Sequence, residues 1–117
     1  MPFFNQGDII EVNFDPTVGH EPAKRRPALV VSTDAFNMRS SMTFVSPIAS
    51  TMNDYPLHVR IADNDADVRG CVCVEQTRAV DLSARPCRRL GELSVEDMNE
   101  VLNLLGSVFG IQGLEKM

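Results

Sequence analysis

The 117-residue chain has no tryptophan, a single tyrosine and only three cysteines. Three is an odd number, and Cys71 and Cys73 lie two apart, so in a strand they share one face and could not easily bridge each other. This argues against a disulfide framework and agrees with a reducing compartment. No apolar run approaches the ~18 residues that a bilayer crossing needs. The stretch from Met1 to Gly7 lacks the basic and apolar regions of a secretory signal, so the expected location is the cytoplasm, away from any membrane. Internal repeats, linkers and low-complexity tracts are also missing. What is present, 44% hydrophobic and 23% charged side chains interleaved along the chain, describes one globular domain over residues 1–117 with a single packed core.

A net charge of -5 at first discourages a polyanionic partner, but the charge is unevenly placed. Residues 1–90 carry ten basic and eleven acidic side chains, whereas residues 91–117 carry one and five. Most of the acidity thus belongs to the C-terminal segment. Within the near-neutral part the basic residues cluster as Lys24-Arg25-Arg26 and as Arg85-Pro86-Cys87-Arg88-Arg89. Such clusters serve either as local phosphate-binding patches or as solvated loop and strand-edge charges.

Period-two alternation marks Asp8 to Phe14 as a half-buried strand with Ile10, Val12 and Phe14 inward. Thr17 to Lys24 has turn chemistry and no period, and reads as a long polar loop. Ala28 to Ser32 and Met42 to Ser50 read as further strands. Leu57 to Ile61 alternates with Leu57, Val59 and Ile61 inward, and Cys71 to Thr77 and Arg78 to Leu82 add more β pattern. Residues 33–42 and 51–56, between strands, are the expected specificity loops. From Ser94 the period changes. Ser94 and Asp97 resemble a capping box, and Val95, Met98, Val101, Leu102, Leu105, Val108 and Phe109 recur at helical spacing until Gly110. Short strands followed by one amphipathic helix predict a mainly β fold, a small barrel or sandwich-like sheet with a C-terminal α-helix.

Two metal patterns fail on spacing. Asp63-Asn64-Asp65-Ala66-Asp67 begins like a calcium loop, but Val68 stands where glycine is needed and Val74 where glutamate is. Cys71-Val72-Cys73 is not the spacing of structural zinc, and the cysteines read as small buried apolar residues. A more informative set is His20, Glu21, Arg25, Arg26 and Ser50 with Glu75, Gln76 and Arg78. Cutting RNA by transesterification needs no outside nucleophile, because the 2'-hydroxyl attacks its own neighbouring phosphate when one group takes a proton and another returns one. Histidine and carboxylates suit that work, and arginine suits the phosphate.

Gly7-Asp8-Ile9-Ile10-Glu11-Val12, Phe14-Asp15-Pro16-Thr17-Val18-Gly19-His20-Glu21 and Arg26-Pro27-Ala28-Leu29-Val30-Val31-Ser32 resemble the N-terminal half of the MazF/PemK toxin endoribonucleases. Pro47-Ile48-Ala49-Ser50, Glu75-Gln76-Thr77-Arg78, Asp81-Leu82-Ser83-Ala84-Arg85 and the last helix are similar to the second half, particularly its PemK/Kid branch. The resemblance runs in order from about Gly7 to Phe109. It implies an SH3-like or CcdB-like barrel of antiparallel strands, a homodimer, metal-independent cleavage of single-stranded RNA with no cofactor, and an antitoxin whose flexible acidic tail occupies the RNA groove.

By position, the resemblance puts Arg26 on the family's catalytic arginine, His20 on a PemK-branch histidine and Glu75 on that branch's catalytic aspartate. Two positions depart from the pattern. The hydroxyl of the family's Pro-x-Thr-Ser lands on Ala49, leaving Ser50 as the nearest hydroxyl, and the arginine two residues before the acid lands on Cys73. The expected catalytic set is Arg26 at the phosphorane, Glu75 and His20 as acid and base, and Ser50 on the phosphate. Lys24, Arg25, Gln76, Arg78, Ala49 and Cys73 are the expected substrate contacts. Two other readings stand beside it: a toxin weakened by Ala49 and Cys73 into an antitoxin-binding module, and a CcdB-like gyrase poison, since Phe109-Gly110-Ile111 superficially resembles a terminal Trp-Gly-Ile.

Overall fold

In the computed structural model, which describes residues 3–14 and 25–111, strand-forming and helix-forming sequence is segregated along the chain. The order is β1 (Asp8–Asn13), β2 (Arg25–Val30), α1 (Asp34–Arg39), β3 (Thr43–Ala49), β4 (His58–Ile61), β5 (Gly70–Cys73), β6 (Arg78–Val80), β7 (Cys87–Glu92) and α2 (Val95–Val108). All strand pairs are antiparallel, in the order β4-β5-β3-β2-β1-β7, with β6 beside β3. β3 is where the sheet turns: residues Thr43 to Val45 pair with β6, and Ile48 and Ala49 pair with β5. The sheet curls like a barrel but, among the described residues, β4 and β7 remain two edges with no ladder between them.

Curling gives the sheet a core on each face. Ile9, Leu29, Ile48, Val59, Ile61, Val72 and Val74 pack with Met98 and Val101 of α2 on one side. Ile10, Val12, Phe14, Ala28, Val30, Val45, Val80 and Leu82 pack together on the other. The expected alternation in β1 is therefore present, and Ile9, on the face opposite Ile10, is buried as well because α2 covers that face. In β4, Val59 and Ile61 are buried and Leu57 lies half-buried just ahead of the strand.

Helix α2 starts where Ser94 Oγ accepts from the Asp97 backbone N–H at 3.1 Å. It stops at Gly110, whose φ of +74° places it in the left-handed region. There the N–H of Gly110 reaches Ser107 O and that of Ile111 reaches Gly106 O, the paired bonds of a Schellman stop. Phe109-Gly110-Ile111 is thus a helix terminator, which accounts for its sequence without a gyrase-directed role.

Four segments differ from the sequence-based expectation. Residues 33–42 contain α1, because Thr33 Oγ1 accepts from Phe36 N–H and Asp34 and Arg39 lie at the favourable ends. The strand pattern from Cys71 to Thr77 ends at Cys73 and is followed by a 3₁₀ turn over Val74–Gln76. The third difference is at the end of the β pattern from Arg78 to Leu82, where β6 ends at Val80 and a second 3₁₀ turn covers Leu82–Ala84. The cluster around Arg85 to Arg89 is largely the edge strand β7, and its charges are spent inside the fold. Arg85 donates to the carbonyls of Asn13 and Phe14, while Arg88 and Arg89 reach Glu11 and Asp8 of β1, each at 3.0 Å. That cluster is consequently not a free phosphate patch. The acidic loop Asp63 to Asp67 docks on the same strand, with Asp65 Oδ1 accepting from Glu92 N–H at 2.7 Å.

Candidate active site

The neighbouring strands β2, β3 and β5 end together at one rim of the sheet. They deliver Arg25 and Arg26, then Ala49, Ser50 and Thr51, then Arg69 to an open groove of about 580 Å³. Continuing the β2–β3 register past Ala28 and Pro47 sets Arg26 beside Ala49, and the β3–β5 register sets Ala49 beside Cys71. Gly70 makes this close approach possible. Its φ is +146°, and a Cβ there would stand 1.8 Å from the Ala49 carbonyl oxygen. Only glycine lets β5 begin against the end of β3 and bring Arg69 to Thr51.

The groove is cationic on a chain of net negative charge. Arg25 keeps a long contact of 3.8 Å with Glu11, whereas Arg26 and Arg69 have no ion pair or hydrogen bond among the described residues. No described carboxylate lines the groove, and the Ser50 hydroxyl makes no described hydrogen bond. Unpaired guanidinia beside a free hydroxyl suit a phosphate, which takes forked donors and a neutral donor together.

Glu75 stands elsewhere. It lies on the 3₁₀ turn after β5, held by Thr77, whose Oγ1 donates to Val74 O at 2.7 Å and meets Ser46 Oγ at 2.6 Å. Its Oε2 is 3.1 Å from His58 Nε2, and His58 Nδ1 is 2.9 Å from Asn53 Oδ1. The Tyr55 backbone N–H also donates to that Asn53 oxygen, at 3.0 Å, which fixes it as an acceptor. Both ring nitrogens of His58 therefore lie within hydrogen-bond reach of side-chain oxygens, which fixes the orientation of the ring. Burial pushes the Glu75 carboxyl up, but the hydrogen bond from His58, the turn's backbone N–H, the His58 charge and Gln76 pull it further down, below the usual carboxylate value.

Of the expected site residues, the fold brings together Arg25, Arg26, Ala49 and Ser50 at the groove. Glu75 and Gln76 share the separate turn, with Gln76 Nε2 3.4 Å from Glu75 Oε2. Arg78 lies near the opposite end of β3, its guanidinium 5.4 Å over the Phe14 ring. Cys73 is only 3% exposed and its Sγ lies 3.7 Å from the Cys71 carbonyl, so it cannot meet a substrate directly as expected from sequence. Burial, with Glu75 and Cys71 adding to it against the Ala49 backbone, holds its thiol above the ordinary value. His20 and Lys24 lie outside the described residues. Thr51 and Asn53 fall within the expected specificity loop 51–56, whereas Arg69 and His58 were missed as site residues. His58 had the signal of an outward polar residue in an alternating strand, whereas Arg69, an isolated cation, had none. Among the described residues no group of three histidine, cysteine or acidic side chains could hold a metal ion.

A curled antiparallel sheet, one C-terminal helix and a cationic groove at the strand ends define a small β protein built to grip an anionic strand. The family model described as PemK-like, MazF-like toxin of type II toxin-antitoxin system matches residues 5–109, and the chain belongs to that family. It is 42% identical over 113 residues to the endoribonuclease toxin ChpB of Escherichia coli (strain K12), covering 90% of this chain and 93% of that protein. It is 34% identical over 106 residues to the endoribonuclease PemK of Escherichia coli, covering 88% and 80%. Among solved structures, MazF of Deinococcus radiodurans superposes with a TM-score of 0.79 at 32% identity, covering 94% of this chain and 99% of that one. The MazE-MazF structure from the same organism gives 0.81 at 32% identity, covering 92% and 96%.

Proposed function

We propose that the chain is the toxin of a type II toxin-antitoxin pair, an endoribonuclease that cuts single-stranded RNA without a metal, acting in the cytoplasm as a homodimer to stop translation. The observation that carries this reading is the meeting of Arg26 and Ser50 with Arg25 and Arg69 in one open groove free of described carboxylates. The 2'-hydroxyl of one nucleotide attacks the adjacent phosphorus, the P–O5' bond breaks, and the products end in a 2',3'-cyclic phosphate and a 5'-hydroxyl. Arg26 meets the charge that gathers on the non-bridging oxygens, and Ser50 donates a hydrogen bond to one of them. His20, on the segment ahead of Arg25, is the group assigned to proton transfer. The same cationic groove suits the acidic tail of an antitoxin, which competes there with RNA. The MazE-MazF complexes of the Deinococcus relative support that partner.

The test is cleavage of a long single-stranded RNA by wild-type, Arg26→Ala and Ala49→Thr proteins in the presence of a chelator. Wild-type cleavage leaving cyclic-phosphate ends, with a loss of about a hundredfold or more in Arg26→Ala, is expected. An inert wild type together with an active Ala49→Thr would instead identify a weakened toxin that only binds its antitoxin.

A further inference from the structure

Of the three described arginines at the groove, Arg25 alone meets a described carboxylate, and that carboxylate sits outside the groove on β1. In the β1–β2 register Glu11 faces Pro27, which puts Arg25 on the diagonal of the same face, within reach of a long side chain. On its other flank Glu11 faces Arg88 of β7 directly. One carboxylate thus stands between two guanidinia.

The two contacts are unequal. Arg88 Nε donates to Glu11 Oε1 at 3.0 Å, whereas Arg25 Nη1 lies 3.8 Å from that same oxygen, beyond hydrogen-bond distance. The neighbouring Arg89 offers Glu11 no substitute, since it is turned to Asp8 and Glu92. The Glu11 side chain is only 28% exposed, so solvent does not fully screen its charge, and without Arg88 it would draw Arg25 into a closed ion pair. A guanidinium so paired must give up one anion to take another. Its grip on a phosphate falls accordingly.

We propose that Arg88 is a positioning residue for RNA binding: by occupying Glu11 it leaves Arg25 loosely held and open to a phosphate in the groove. The inference rests on the RNA-binding part of the function proposed above, and it makes the affinity of the groove depend on a β7 side chain that does not line it.

The test is a double-mutant cycle at about 0.15 M salt, where distant charges are largely screened. It is read by anisotropy of a randomised single-stranded oligonucleotide with methylated 2'-oxygens, which cannot attack their phosphates. Arg88→Ala is expected to weaken binding about threefold and Glu11→Gln to tighten it about threefold, within the roughly fivefold that an exposed ion pair supplies. The variant carrying both changes has the net charge of wild type, yet it should bind as tightly as Glu11→Gln alone. In an Arg25→Ala background Arg88→Ala should change nothing, because the arginine it acts through is gone. A cost of Arg88→Ala that persists in the Glu11→Gln or Arg25→Ala background overturns the inference, as does wild-type affinity in the double variant. Should Arg88→Ala melt below the working temperature, Arg88→Met, which keeps the apolar stem along β7, takes its place in the cycle. A protein that obeys the cycle but cuts no RNA sinks the endoribonuclease reading and keeps this one, whereas one that binds no strand at any salt concentration overturns both.

Discussion

A guanidinium is useful to an anionic ligand only if no carboxylate has already claimed it, and this separates the arginines of the chain. Arg60 pairs with Asp54, Arg88 with Glu11, and Arg89 with Asp8 and Glu92, while Arg26 and Arg69 are left open on the groove. Sequence clustering alone ranked Arg85 to Arg89 equal with Lys24 to Arg26, because a run of cations does not show which carboxylates the partner strand will present. Arg26 could be singled out from its position before Pro27 in the family pattern. Arg69, an isolated cation, could not. Replacing Arg69 by alanine should weaken binding of single-stranded RNA nearly equally for all sequences and reduce the slope of log affinity against log salt by about one. A salt titration of wild type and variant checks this, and an unchanged slope would show that Arg69 does not touch a phosphate.

At the scale of elements, the groove exists because three strand ends are level, and Gly70 sets that level. Helical periodicity and the Ser94 cap made α2 legible, and alternation made β1 and β4 legible, since each presents an apolar face to one core. By contrast β7 is polar on its outer face, and its stability comes from cross-strand ion pairs and from the loop at Asp65, which periodicity does not detect. The place of Gly70 was equally hidden, as its need for a positive φ arises from contact with Ala49, twenty-one residues away in sequence. Gly70→Ala must both strain the backbone and push the end of β3 aside, a cost of at least about 1–3 kcal/mol. Urea unfolding should show that loss, and RNA cleavage should fall further than the stability change explains because Ser50 and Arg69 move apart. Retained stability with full activity would mean that β5 can start elsewhere.

Over the whole molecule the two ends of the sheet are unlike. One rim carries the cationic groove, and the other holds a cleft of about 370 Å³ between β3 and the end of α2, bordered by Phe44, Leu105, Val108 and Phe109. Phe109 is 74% exposed and Val108 49%, at the end of a helix that buries Met98 and Val101 in the core and half-buries Leu102, Leu104 and Leu105 against it. The wide apolar stripe of the sequence thus divides in the fold into a face that meets the sheet and a tip that meets solvent. Exposed aromatic and aliphatic groups gathered around one cleft mark an association surface. The expected homodimer would cover such a surface, so sedimentation of the chain at micromolar concentration should give a particle of twice its 12.9 kDa mass. Phe109→Glu, which places a charge at the rim without entering either core, should shift that equilibrium toward monomer while the thermal transition of the monomer stays in place. A wild-type monomer under those conditions would leave the cleft uncovered and count against a dimer, whereas a dimer indifferent to Phe109→Glu would put its contact elsewhere on the sheet.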